Sequence, residues 1–88
     1  MFEFDPDKSA ANKAKHGIDF DEAQAIWKDE RRASFKTHWP GEERWLMVGK
    51  IGRRHWAAVF TPRDEIVRII SVRRARQKEV ETYEASES

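Results

Sequence analysis

Three polar residues, Lys8, Asn12 and His16, recur at i, i+4 and i+8, a spacing that aligns them along one side of a helix. An imidazole suits proton transfer at neutral pH, since its unperturbed pKa lies near ~6.5. The position also fits a plainer role: Lys15 and His16 fall where such a helix would end, and cations there complement the helix dipole. A larger chemical resource lies further along. Between Arg44 and Lys78, ten Lys or Arg stand against two acids, Asp64 and Glu65, leaving a local charge of +8. Residues 1–43 hold seven bases against ten acids and residues 79–88 hold four acids and no base, so the overall +1 conceals segregation. Guanidinium groups aim planar, paired donors at phosphate oxygens and release counterions from a polyanion, which makes nucleic acid the first partner class indicated. A solvated charged surface is the bland alternative.

Arg68 raises a separate question. In Ile66-Val67-Arg68-Ile69-Ile70-Ser71, strand alternation puts Arg68 on one face with Ile66 and Ile70, and Val67, Ile69 and Ser71 on the other. An arginine among apolar neighbours is either paired with a carboxylate, with Glu79 or Glu22 as candidates, or presented into a cleft.

Composition removes several classes of function. With no cysteine, disulfides, thiolate catalysis and Cys-based zinc sites are excluded, and no HExxH-like spacing offers another metal site, so neither metal nor cofactor is expected. At 88 residues and 10.4 kDa the chain suits a single domain spanning 1–88. No apolar run approaches the ~20 residues that cross a bilayer, and Met1-Phe2-Glu3-Phe4-Asp5 lacks a secretory layout, so a cytoplasmic protein with no membrane contact is expected. Mean hydropathy is −0.89, yet four Trp and five Phe argue for a folded core.

The elements that must position these groups are marked by local signals. Asp5 before Pro6 reads as an N-cap with proline at the first helical position, and Gly17 as a left-handed terminator, which predicts a helix over 6–16. Asp19 with Glu22 imitates a capping box, with Ile18 and Ala23 at the staple positions, and predicts a second helix over about 20–29. Its core face would be Phe20, Ala23, Ile26 and Trp27. From Ala33 the period changes to two, through Phe35 and Thr37, then Arg44 to Ile51, His55 to Thr61 and Ile66 to Val72. Pro40-Gly41, Gly52-Arg53 and Pro62-Arg63-Asp64 separate them, which predicts an antiparallel meander of four strands. Val72, Ala75, Glu79, Val80 and Tyr83 recur at helical spacing and predict a last helix over about 72–84 before a frayed tail, 84–88. The expected fold is α+β: two N-terminal helices and a C-terminal helix packed on a four-stranded antiparallel sheet. Helices on one face would leave the other for a ligand.

The string Phe4-Asp5, Lys8, Asn12, Lys15-His16-Gly17, Phe20, Glu22-Ala23, Glu43-Arg44, Thr61, Arg63, Arg68-Ile69-Ile70-Ser71, Arg73, Ala75, Glu79 and Tyr83 resembles the BrnT family of toxins. The combination of Lys15-His16-Gly17 and Glu22-Ala23 with Arg68-Ile69-Ile70-Ser71, Arg73 and Tyr83 is its specific part. Two departures are apolar exchanges that leave the site intact: Phe4 stands where the family often has Trp, and Val72 where Ala is usual.

The resemblance implies a type II toxin–antitoxin role, a RelE-like fold and an endoribonuclease activity that stops translation. It further implies metal-independent cleavage in which the RNA 2′-OH attacks the adjacent phosphate and leaves a cyclic phosphate. That reaction needs a base, an acid and cations around a pentacoordinate phosphorus. Arg44, Arg63, Arg68 and Arg73 are the expected phosphate-binding set, with Lys8 and Lys15 as weaker contributors. The catalytic candidates are His16, Arg68, Arg63, Arg73, Glu22, Glu79 and Tyr83. Glu79 and Tyr83, at i and i+4, can bring their heads together; alternatively Glu79 pairs with an arginine and the Tyr83 ring packs on the sheet. Trp27 is expected in the core, Trp45 and Trp56 as a pair within the sheet, and Trp39 in a loop where it can stack on a base or an antitoxin side chain. The implied partner is a cognate DNA-binding antitoxin of ribbon-helix-helix type (BrnA-like), two copies with two of the toxin, so that DNA is reached only through the antitoxin. A non-catalytic nucleic-acid-binding or co-repressor module of the same complex is the reading from a different class, and it predicts salt-sensitive binding without product.

Overall fold

The computed structural model describes residues 1–37 and 40–85. The elements follow in the order β1 (Phe2–Glu3), α1 (Pro6–His16), a 3-10 helix (Glu22–Lys28), β2 (Ala33–Lys36), β3 (Trp45–Ile51), β4 (Arg54–Arg63), β5 (Ile66–Arg74) and α2 (Gln77–Ala85). The strands form one sheet in the order β1-β5-β4-β3-β2. Strands β2 to β5 are the expected antiparallel meander, but the sheet is five-stranded and mixed. The extra strand, β1, pairs in parallel with β5, Phe2 opposite Val67 and Glu3 opposite Arg68. This corrects the four-stranded antiparallel expectation. A two-residue strand is too short to show a period, and only the folded chain brings it beside β5.

Helix α1 forms over the expected residues. Asp5 accepts hydrogen bonds from the Asp7 and Lys8 N–H groups, and Gly17 closes the helix at φ 80°. The expected capping box also forms, Glu22 N–H to Asp19 Oδ1 at 2.7 Å and Asp19 N–H to Glu22 Oε1 at 3.0 Å. The segment behind it nevertheless winds as a 3-10 helix over Glu22–Lys28, not as the expected α-helix over 20–29. Phe20, Ala23 and Ile26 are each at most 1% exposed, and a spacing of three places all of them on one face of a three-residue turn. The last helix is likewise shorter than the expected 72–84, because Val72 to Arg74 remain in β5, paired with Ala58 to Trp56. Residues 86–88 of the expected tail lie outside the described residues, as does Trp39.

Helices cover both faces of the sheet, not one. Against α1 and the 3-10 helix pack Met47, Trp56, Ala58, Phe60, Ile69 and Val72, closing a core with Ile18, Phe20, Ala23 and Ile26. Gly49 permits the close approach: a Cβ there would stand 3.0 Å from Ile26 Cγ2 and 3.1 Å from its carbonyl oxygen. Trp27 joins this core edge-on to Phe60, with ring centroids 5.3 Å apart. Trp45 and Trp56 point to this same side but are not partners, since Trp45 lies opposite Phe60 and Trp56 opposite Gly49. On the other face α2 covers only part of the sheet, where Tyr83 packs on Val48 and Ala57.

Asn12 joins α1 to the edge of β5 that β1 leaves open. Its Nδ2 donates to the Val72 carbonyl at 3.0 Å and the Ile18 carbonyl at 2.8 Å, and its Oδ1 accepts the Val72 N–H at 3.2 Å. One amide thus does for Val72 what a neighbouring strand would do.

The register of β4 and β5 slips once. Val59 faces Ser71 while Phe60 faces Ile69, which leaves Ile70 as an inserted residue, a β-bulge. Alternation alone groups Ser71 with Val67 and Ile69. Past the bulge the phase inverts, so Val67, Ile69 and Val72 face the core and Arg68, Ser71 and Arg73 share the open face.

Candidate functional site

On the open face β4 and β5 present Arg63 opposite Ile66, Arg68 opposite Thr61, and Arg73 opposite Ala57. Arg44, immediately before core-facing Trp45, points the same way. Its carbonyl is held by the Thr37 N–H at 3.0 Å and the Thr37 hydroxyl at 2.9 Å. All four arginines of the expected phosphate-binding set therefore lie on one side of the sheet. Between α2 and the strands is a cleft of about 440 Å³ lined by Thr37, Arg44, Leu46, Val59, Ser71, Arg73 and Glu79. Its floor is apolar and its rim cationic.

Carboxylates hold three of these arginines in place. Arg73 grips Glu79 through both terminal nitrogens, at 2.8 Å each, and Glu79 also accepts the Arg76 N–H at 2.8 Å. The guanidinium, chiefly by hydrogen bonding, holds the Glu79 carboxyl below its ordinary range, and Glu79 in turn raises Arg73. Arg68 pairs at 3.3 Å with Glu3, not with Glu79 or Glu22 as expected from sequence; the partner arrives on the parallel strand β1. Arg44 Nε lies 3.5 Å from Glu42, whose Oε1 accepts the Thr61 hydroxyl at 2.9 Å. The Thr61 hydrogen bond, with Arg44 and Arg63 nearby, keeps the Glu42 carboxyl low against the opposing effect of burial.

The remaining candidates sit elsewhere. Lys8, Lys15 and His16 belong to α1, on the other face of the sheet; both lysines are exposed and half-buried His16 closes the helix. Glu22 bonds Lys13 at 2.8 Å in addition to capping the 3-10 helix. The Lys13 ammonium lowers the Glu22 carboxyl, and Glu22 raises Lys13. The Glu79 and Tyr83 heads part company: Tyr83 is buried and donates its hydroxyl to Asp29 Oδ2 at 2.6 Å. Burial works to raise the Asp29 carboxyl, but hydrogen bonds from Tyr83 and from the Lys50 and Arg31 N–H groups hold it low. Beside Tyr83, its ring centroid 5.2 Å away, His55 bonds Glu84 at 2.9 Å.

A family model described as the ribonuclease toxin BrnT of type II toxin–antitoxin systems matches residues 4–79. The chain belongs to this family. No curated protein matches the chain. Membership gives the chain the character of a ribonuclease toxin and implies an antitoxin partner. The matched stretch takes in α1, the whole arginine set and Glu79, and stops before Tyr83.

In this toxin the open face can bind phosphate and stabilise charge that develops on it, since guanidinium groups stay protonated and aim several donors at oxygen. Residues that sequence reasoning left unassigned complete the face: Glu42, Thr61, Ser71 and Thr37. Strand alternation offered a signal for Thr61, which falls in phase with Arg63. Ser71 had none, because its side depends on the bulge. Among the described residues no group of three or more His, Asp or Glu is placed to hold a metal ion, and no helix is long and apolar enough to cross a membrane.

Proposed function

We propose that this chain is an endoribonuclease that seats RNA phosphate on the open face, with Arg44 and Arg73 inside the cleft and Arg63 and Arg68 extending it. The convergence of these four arginines on one side, which requires the bulge at Ile70, is the observation that supports the reading. The RNA 2′-OH attacks the adjacent phosphorus as water takes its proton, the bond to the 5′ oxygen breaks, that oxygen takes a proton from water and leaves as a 5′-hydroxyl, and a 2′,3′-cyclic phosphate remains. Arginines neutralise the pentacoordinate charge, so no metal or cofactor enters the reaction. Glu42 and Glu79 border the face, but their donors hold them ionised, which makes them weak bases. The arginine set therefore carries the catalysis at this phosphate, and His16, the residue type best matched to proton transfer, lies on the other face of the sheet and takes no proton there. Lys8 and Lys15, on the other face of the sheet, lie outside this phosphate site. The cognate antitoxin is a ribbon-helix-helix DNA-binding protein that forms a two-plus-two complex with the toxin in the cytoplasm and carries it to DNA.

Growth and total RNA after induced expression test this reading, comparing wild type with Arg44→Ala and Arg68→Ala. Arrest with new RNA 5′ ends, lost in the folded variants and unchanged by a chelator with purified protein, is the expected result. Intact RNA beside abundant folded wild-type protein would sink it. A second reading, a non-catalytic binding module, is favoured by one observation: the two carboxylates that border the face, Glu42 and Glu79, are both held low by their donors and make weak bases. It predicts binding that weakens with salt and yields no product.

A further inference from the structure

We propose that the Glu79 carboxylate occupies the seat of a substrate phosphate on Arg73, and that RNA binds there by evicting it. Glu79 is then a positioning residue that sets affinity through Arg73, not a proton carrier. The inference rests on the arginine cleft being the phosphate site.

The geometry of the pair is that of anion recognition. Both Glu79 oxygens meet Arg73 Nη1 and Nη2 at 2.8 Å, the fork-to-fork arrangement in which a guanidinium also holds a phosphate. With the Arg76 N–H at 2.8 Å, three donors converge on one anion. Both side chains line the cleft, and neither is wholly buried, at 24% and 17% exposed. Arg44 supplies a second cation on the same lining. A phosphodiester entering between Arg44 and Arg73 brings its charge towards a like charge, and it meets both Arg73 donors only when Glu79 has swung away. The far half of α2 is anchored independently, by Tyr83 on Asp29 at 2.6 Å and Glu84 on His55 at 2.9 Å. Eviction thus requires a side-chain rotation and leaves the helix in place. The Arg68–Glu3 pair differs: its single bond of 3.3 Å, between side chains 39% and 40% exposed, leaves donors of Arg68 available without displacement.

Glu79→Gln separates the charge from the shape. Glutamine retains a carbonyl for the Arg76 N–H, the reciprocal bond of a capping box, while it removes the competing anion and replaces the oxygen that accepts from Arg73 Nη2 with an amide donor. Affinity for inorganic phosphate, followed through the Arg73 guanidinium NMR signals, and for an uncleavable 2′-deoxy oligonucleotide would be compared in the two proteins. Both ligands are expected to bind about tenfold tighter to E79Q, a change of about 1.4 kcal/mol. With cleavable RNA, KM should fall while kcat does not rise. Unchanged or weaker binding overturns the proposal, because a purely structural role for Glu79 predicts that result together with a lower Tm. Arg73→Lys supplies the control, since an ammonium offers no fork. The gain from E79Q should vanish in that background, and its survival would show that Glu79 acts by general charge and would also overturn the seat. Wild-type cleavage, assayed alongside, keeps the two readings apart. Tighter phosphate binding by E79Q without RNA cleavage upholds the seat and removes the ribonuclease reading, and cleavage without tighter binding does the reverse.

Discussion

Two faces of one sheet have been put to different uses. On the first, α1 and the 3-10 helix close over Phe60, Ile69, Val72 and their neighbours, and even Gly49 is in tight contact with Ile26. On the second, α2 covers Val48 and Ala57 but leaves Leu46, Val59, Ser71 and the arginines lining a cleft. The first face is held throughout by apolar burial, which is sensitive to changes of volume; the second is apolar only under α2, and its uncovered part is lined by partly exposed ion pairs. Stability and ligand affinity should therefore respond to different substitutions.

The largest effect is expected on the closed face. Ile26→Ala empties a site at 0% exposure and should cost about 3–4 kcal/mol in denaturant unfolding, with phosphate affinity unchanged in the fraction still folded. Asn12→Ala strands the Val72 N–H and two carbonyls and should cost about 2–3 kcal/mol, with faster hydrogen exchange at Val72; normal exchange there would remove Asn12 from the edge. Gly49→Ala must push Ile26 and the 3-10 helix outward, at about 1–2 kcal/mol, measurable as a lowered Tm. On the open face exposed Arg63 should behave oppositely. Arg63→Ala is expected to shift stability by less than about 0.5 kcal/mol. It should also reduce the salt dependence of RNA binding by about one unit of slope. A stability loss as large as that of Gly49→Ala would break the contrast between the faces.

The Arg73–Glu79 pair supplies a further small effect, one that depends on pH. Glu79 is depressed from an ordinary 4.5, chiefly by its hydrogen bonds to Arg73, so its stabilisation is complete above that value and is lost as pH falls through the lower folded value. Partial exposure screens the pair, which limits the contribution to about 1 kcal/mol or less. Acidification should consequently lower the Tm of wild type slightly more than that of E79Q, and parallel curves would show that the pair adds nothing to stability.

How much of this was legible in the chain varied with the range of the interaction responsible. Asp5, Pro6 and Gly17 delimit α1 because capping acts within a few residues. The Asp19–Glu22 box was equally local and forms, yet it could not specify 3-10 winding, which follows from seating Phe20, Ala23 and Ile26 in the core. Strand β1 left no pattern in two residues. Ile69 and Ile70 are the same residue type, so nothing local says which faces the core and which is inserted. The candidate site was half legible: its four arginines were named from the chain, while the carboxylates that hold Arg44 and Arg68 were not, and His16, Lys8, Lys15 and Glu22 were grouped with residues from which the sheet separates them.

The segregation of basic charge into 44–78, the helix signals, the meander and the family can all be read along the chain, because each is carried by residue identity or short spacing. Which side of the sheet each arginine takes, and which carboxylate Arg68 meets, follows from long-range contacts alone. Side is set by the register of β5 against β4, where one bulge reverses every later residue. Partner choice is set by chain ends meeting in space: Glu3 and Arg68 stand 65 residues apart and become neighbours only when β1 adds to the sheet.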